Sequence, residues 1–179
     1  MQNNKKSKIS QSAVYGLMLV VALFASGCST QATKTPEVSQ SPAPVDKLTK
    51  ANDILFSALG QVGIPYRYGG SAPDSGFDCS GLIQYVYAES ADIKLPRTVA
   101  GMIKLDAPRV EEDHLQAGDL VIFATGWGSR PSHAGIYVGE GRFVHAPSTG
   151  GVVRMDLLSE DYWQRSYLQA TRPLAGFGR

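Results

Sequence analysis

Residues 76–90 read Gly76-Phe77-Asp78-Cys79-Ser80-Gly81-Leu82-Ile83-Gln84-Tyr85-Val86-Tyr87-Ala88-Glu89-Ser90. Leu82, Ile83 and Val86 stand three, four and seven positions after Cys79, the spacing of one helical face. The stretch is therefore read as a helix from Cys79 to about Ser90, with the cysteine in its first turn on the core-facing side. Free backbone N–H groups and the positive end of the helix dipole gather there and favour a thiolate. Asp78 works against a second anion beside it, although its carboxylate can also cap the N–H groups ahead of it. A free cysteine is also often just a small buried apolar residue, so the thiol by itself does not establish chemistry.

Upstream, Leu48, Ala51, Ile54, Leu55, Ala58, Leu59 and Val62 recur at three- and four-residue spacings, and Gly60 and Gly63 end the run, which predicts an earlier helix. Between the two helices lies a Gly-rich loop from Tyr66 to Gly76. Downstream, after Pro96 and a short helical stretch near 99–105, the pattern changes to alternation and short apolar runs. Leu120–Ala124, Ala134–Val138, Arg142–Ala146, Val152–Met155 and Tyr167–Arg172 are read as strands divided by Gly-rich turns. Helices followed by a run of closely linked strands imply an α+β domain, an antiparallel sheet backed by helices.

The N-terminal region carries a different signal. Lys5, Lys6 and Lys8 precede an apolar run over 13–25 that ends in Ser26-Gly27-Cys28. A basic n-region, a short apolar core and small residues before the cut are the parts of a secretory signal. The run falls short of the ~20 apolar residues of a membrane-spanning helix. Small residues immediately before a cysteine resemble a bacterial lipoprotein signal, which implies cleavage after Gly27 and diacylation of Cys28, so that acyl chains anchor the protein in a membrane. Residues 28–46, rich in Ser, Thr, Gln and Pro, are read as the lipidated cysteine and a flexible tether, and 47–179 as one domain. Loss of the three signal lysines moves the balance from 17 basic and 16 acidic residues to 14 and 16, a net −2. No basic patch remains for phosphates, so nucleic acid is not an expected partner. With Cys28 acylated, Cys79 is left as a single thiol in an oxidising compartment, where a catalytic role is one reason to keep it.

Activating a thiol requires an imidazole, and the imidazole needs a partner to orient it. Pro131-Ser132-His133-Ala134-Gly135-Ile136-Tyr137-Val138-Gly139 and Arg142-Phe143-Val144-His145-Ala146 read as two arms of one hairpin around Glu140. A plain two-residue loop would pair His145 with Ile136 and put His133 on the opposite face. A loop centred on Glu140, or one bulge, pairs His145 with Gly135 and makes the histidines diagonal neighbours on one face. The second arrangement is predicted. The two histidines with Cys79 could also ligate zinc, but no fourth group stands at metal spacing, so neither a metal nor another cofactor is expected. His114, in the acidic stretch Glu111-Glu112-Asp113-His114, is read as a solvated loop residue.

Five ordered blocks resemble the NlpC/P60 family: Tyr66-Arg67-Tyr68-Gly69-Gly70, Phe77-Asp78-Cys79-Ser80-Gly81-Leu82, Leu95-Pro96-Arg97-Thr98, Gln116-Ala117-Gly118-Asp119-Leu120-Val121, and His133 to Gly139 followed by Phe143-Val144-His145-Ala146. The resemblance implies a papain-like fold with the nucleophile at a helix N terminus, and a cysteine peptidase that cuts peptidoglycan stem peptides or their cross-links. It assigns the nucleophile to Cys79, held as a thiolate by the general base His133, and the third triad position to His145. Tyr66 becomes the active-site tyrosine, with Asp78 and Ser80 facing substrate and Arg67 available to a substrate carboxylate. It further implies an envelope lipoprotein on the periplasmic face of the outer membrane, since Ser29 rather than Asp follows Cys28, with regulatory envelope proteins or proteases as further partners. Two rival readings are an acyltransferase or transpeptidase using the same triad, and a non-catalytic envelope scaffold.

Overall fold

The computed structural model describes residues 42–126, 128–149 and 151–176. The signal segment, Cys28 and most of the stretch read as a tether lie outside the described residues. Helix α1 spans Pro42–Gly60, so it begins inside the Ser/Thr/Pro-rich stretch over 28–46 that was read as tether. Proline is well suited to a first helical turn, where its missing N–H would have no partner. The buried stripe of α1 is narrower than the expected one: Ile54 and Ala58 are fully buried, whereas Leu48 and Val62 are exposed. Among the described residues no helix is long and apolar enough to cross a membrane.

After α1 the chain makes a small hairpin of β1, Ser71–Ala72, and β2, Gly76–Phe77, and enters α2, Cys79–Ala91. Leu82, Ile83 and Val86, the face expected of this helix, are fully buried. A short α3, Val99–Met102, is capped by Thr98 and follows the Leu95-Pro96-Arg97 turn. The remaining strands are β3 (Arg109–Val110), β4 (Leu120–Phe123), β5 (His133–Gly139), β6 (Arg142–His145), β7 (Arg154–Leu157) and β8 (Tyr167–Thr171). Helix α4, Asp161–Ser166, lies between β7 and β8, and α5, Pro173–Gly176, follows β8. Neither short helix nor the β1–β2 hairpin was anticipated, because segments of two to six residues are too short to show a period.

The main sheet has six strands in the order β3-β8-β4-β5-β6-β7, every neighbouring pair antiparallel. All four residues of β4 are buried, since both of its sides are paired and both faces of the sheet are covered. Period-two alternation divides the core. Leu120, Ile122, Ala134, Ile136, Val144 and Ala146 face α1 and α2 in the larger cluster, while Val121, Phe123 and Phe143 face Trp163 and Leu158 in the smaller one. The Gln116–Asp119 turn is fastened by Asp119, 1% exposed, whose carboxylate accepts from the Gln116 N–H and from Nε and a terminal amine of Arg172, just past the end of β8. A buried carboxylate of this kind is tolerated because its lone pairs are filled.

The β5–β6 hairpin follows the predicted register through one of the two devices weighed for it, a bulge, added to a two-residue loop. Glu140 and Gly141 form a tight loop with φ of 53° and 70°, and a bulge at Val138 shifts the pairing from Tyr137↔Phe143 to Gly139↔Arg142. The ladder then sets Gly135 opposite His145. Gly135 has no room for more than a hydrogen: a Cβ there would stand 2.6 Å from the Phe143 ring and 3.3 Å from Cβ of His145.

The helix that begins at Cys79 is docked as tightly. A Cβ on Gly81 would meet the Gly70 carbonyl oxygen at 2.0 Å, and one on Gly70 would meet that of Gly76 at 2.2 Å. Because the obstacle is backbone, it cannot be relieved by a rotamer change. Gly81→Ala is expected to lower stability by ~2–4 kcal/mol in chemical denaturation, whereas alanine at the exposed Gly60, with nothing within 4 Å of its Cβ, should leave the midpoint unchanged or higher.

Candidate active site

Asp78 begins the site by ending the β2 strand and capping α2. Its backbone is extended, with φ −91° and ψ 174°, and Oδ1 accepts from the Gly81 N–H at 2.8 Å, the geometry of an N-cap. Oδ2 accepts from the Gly69 N–H at 3.0 Å. Both oxygens also receive Arg97, at 2.9 and 2.7 Å, and the same guanidinium donates to Ser80 Oγ at 2.7 Å. The Ser80 hydroxyl in turn donates to Asp78 Oδ1 at 3.1 Å. Burial works to raise the Asp78 carboxyl, but the Arg97, Gly81 and Ser80 bonds outweigh it and hold the group below its ordinary value.

Cys79 follows as the first residue of α2, partly buried and a free thiol. Its helix packs on β5, and the Ala134 N–H, next to His133 in the chain, acts on the sulfur together with the Ser80 and Cys79 N–H groups. Those donors do not decide the charge. Burial first, and the Asp78 carboxylate second, push the thiol above its ordinary value, so the preference for thiolate expected at the helix N terminus is overridden here. Both causes favour the neutral thiol near pH 7 in the substrate-free site.

The two histidines lie diagonally on the smaller face of the sheet. His133 Nε2 and His145 Nδ1 are 2.8 Å apart, and the rings are nearly perpendicular, 86°, with centroids 5.0 Å apart. Trp163 stacks on His133 at 24° and meets His145 in a T-shaped contact at 82°. Behind them His145 Nε2 is 3.0 Å from Asp156 Oδ2. Burial is the main force on both imidazoles, lowering His133 to about 3 and His145 to about 4; the neighbouring His145 adds to the effect on His133, and Asp156 opposes it. Both rings are neutral near pH 7.

A cavity of about 460 Å³ brings these groups together: Cys79, His133, Tyr66, Asp78, Ser80 and Arg97 all line it. Tyr66 keeps its proton, since burial and the nearby Cys79 and Asp78 raise its hydroxyl, so it can donate into the cavity. Arg67, expected at the substrate, does not line the cavity; it is exposed, and its backbone N–H donates to the Phe77 carbonyl at 2.9 Å. Arg97 occupies the place anticipated for it. That arginine sits in the Leu95-Pro96-Arg97-Thr98 block but was given no role, because its neighbours in sequence do not reveal a partner nineteen residues away. Asp156 was missed for a simpler reason: the strand was predicted to stop at Met155, one residue short. His114 is exposed in a 3₁₀ turn, Glu112–His114, and pairs with Asp113, as a loop residue should. Among the described residues no cluster of three or more His, Cys, Asp or Glu is placed to hold a metal.

Comparison with known proteins places this geometry. Residues 63–172 match the profile of the NlpC/P60 family. The chain is 46% identical over 128 residues to Murein DD-endopeptidase MepH of Escherichia coli, covering 70% of this chain and 47% of that protein, so it spans about half the length of that relative. It is 31% identical over 174 residues to Murein DD-endopeptidase MepS/Murein LD-carboxypeptidase of E. coli, covering 88% and 90% of the two chains. The crystal structure of an NlpC/P60 family protein from Bacillus cereus superposes with a TM-score of 0.63 at 32% identity, over 69% of this chain and 40% of that one. The helix-backed antiparallel sheet is thus the papain-like α+β fold that the motif order implied. With the profile covering most of the domain and the fold agreeing, the chain belongs to the NlpC/P60 family.

Proposed function

We propose that the protein is a cell-envelope cysteine peptidase that hydrolyses an amide bond of peptidoglycan stem peptides, with Cys79 as nucleophile and His133 as general base. The observation that carries this reading is the shared cavity: a thiol at a helix N terminus, an imidazole on the adjoining strand and a second imidazole hydrogen-bonded behind it. Two relatives carry murein endopeptidase in their names, which points to the substrate class. The name of MepH makes a bond between two D-configured residues the first one to test. A scaffold has no need of this aligned set, so the non-catalytic reading is the weaker one. The lipid anchor on Cys28 and an outer-membrane position remain part of the proposal, on the N-terminal sequence pattern.

The chemistry begins from a neutral pair. As the sulfur attacks the amide carbon, its proton passes to His133, and the thiolate and imidazolium appear together in the transition state. The carbonyl oxygen gathers charge opposite the Cys79 N–H and the Tyr66 hydroxyl; one such donor is typically worth ~2.7–4 kcal/mol. The imidazolium then protonates the leaving amine, giving a thioester on Cys79. Water, relieved of a proton by His133, releases the acid and restores the thiol. His145 orients His133 throughout. Asp78, Ser80 and Arg97 form a charged wall to the same cavity, where the Arg97 donors face polar groups of the acyl side.

Two measurements test this. Sacculi digested with purified protein should yield muropeptides with new free amines by mass spectrometry, and Cys79→Ala should yield none; new cross-links in place of free amines would instead identify a transpeptidase. The rate of iodoacetamide alkylation at Cys79 should climb about tenfold per pH unit through neutrality in the substrate-free protein, with no plateau there, whereas a preformed ion pair would react at a pH-independent rate from well below neutrality.

The buried histidines also predict the pH dependence of stability. Their folded values lie below the ordinary 6.5, at about 3 for His133 and about 4 for His145, so between 6.5 and about 3 the unfolded chain binds more protons than the folded one. Their contribution is complete above pH 6.5 and is lost as pH falls through that window. Thermal unfolding should occur roughly 5 °C or more lower at pH 4.5 than at pH 7, and the difference should shrink in His145→Gln.

A further inference from the structure

Hydrogen-bond direction runs one way through the site, and it starts at a residue outside the nucleophile and its two histidines. A carboxylate carries no hydrogen, so in the 3.0 Å contact between His145 Nε2 and Asp156 Oδ2 the imidazole is the donor. A neutral His145 with its proton on Nε2 has a bare lone pair on Nδ1. The 2.8 Å contact from that atom to His133 Nε2 then places the His133 proton on Nε2. The nitrogen of His133 left unprotonated is Nδ1, the one not engaged by His145.

The histidine pair does not choose this arrangement by itself. The reversed chain, with His145 Nδ1–H donating to a bare His133 Nε2, satisfies the same 2.8 Å contact. It would leave a proton on His133 Nδ1, where the ring could not accept one from the thiol. We propose that Asp156 is a positioning residue of the catalytic site, selecting the tautomer of His145 and, through it, the tautomer of His133 that can act as a base.

The surroundings of Asp156 are built to keep it charged and still. Its side chain is 13% exposed. Arg154 Nε donates to Oδ1 at 2.9 Å and its terminal amine to Oδ2 at 3.1 Å, and the Trp163 indole N–H donates to Oδ2 at 3.2 Å. The ladder explains the placement: Arg154 stands opposite His145 and Asp156 opposite Phe143, so both side chains project on the histidine face, with Asp156 diagonal to His145. Trp163 therefore has two functions, as a wall to both imidazoles and as a donor to the acid behind them. The acid also favours positive charge on the imidazoles, which is needed once the thiol proton has moved.

The kinetic arm of the test rests on the assignment of Cys79 and His133 as nucleophile and base; the spectroscopic arm does not. With ¹⁵N-histidine in the full-length protein, imidazole nitrogen shifts should show both His133 and His145 as neutral Nε2–H tautomers near pH 7. In Asp156→Ala, His133 should shift wholly or partly to the Nδ1–H form, with kcat lowered roughly 100-fold or more and KM changed less than threefold. Asp156→Asn, whose amide oxygen can still accept from His145, should keep the wild-type tautomer and recover part of kcat. A wild-type spectrum with His133 protonated on Nδ1 would overturn the proposal, whatever the folding of the variants. So would an Asp156→Ala protein that keeps the wild-type tautomer, whether its activity is retained or lost with its stability. If no form of the protein cleaves peptidoglycan, the peptidase reading fails while the tautomer assignment is still decided by the spectra.

Discussion

The whole site is built on one close approach, where the first turn of α2 is pressed against the backbone of the loop before it. Gly81 faces the Gly70 carbonyl with no room for a methyl group, and Asp78 holds the turn from the other end by accepting from the Gly81, Gly69, Ser80 and Arg97 donors. Cys79 lies between these two restraints, so its sulfur has little freedom except to face the start of β5. The carboxylate that secures the helix is also the second cause of the raised thiol. A firmly held thiol and a charged wall to the cavity are obtained together, at the cost of a less acidic sulfur.

The sheet divides the labour between its faces. One face, with Ile122, Ala134, Ile136 and Val144, supplies the contacts that bind α1 and α2. The other carries His133, His145 and Asp156 beneath Trp163, in an aromatic setting with Phe123 and Phe143. Burial there keeps both imidazoles neutral, which matches a thiol that is also neutral. In the proposed mechanism such a neutral pair postpones charge separation until substrate is present, when the developing ions can stabilise each other. It also protects the thiol, since the thiol form is much less open to oxidation than the thiolate.

Much of this was legible in the chain. The Leu82, Ile83 and Val86 spacing located the helix that carries the cysteine, and the strand runs located five strands of the main sheet to within a few residues. The choice of hairpin register followed from asking which pairing lets two imidazoles share a face. What escaped was short or distant. Arg97 belongs to a quoted motif, yet its reach to Asp78 depends on the path of the intervening helix. Asp156 lies one residue past the predicted end of its strand. Arg67 was read as substrate-facing by its place in a motif, but it is exposed and off the cavity, which Arg97 lines.

Sequence by itself therefore determined the elements, their order, the family resemblance and the identity of the thiol and two imidazoles, because periodicity, capping residues and motif order are properties of neighbours along the chain. Only the tertiary structure decided the charge state of Cys79 and of the histidines, and which acid and which arginine complete the site. Those properties arise from burial and from pairs that meet through space, Asp78 with Arg97 and His145 with Asp156, nineteen and eleven residues apart. No pattern of adjacent residues encodes the depth at which a group is buried, and depth is what sets its proton affinity.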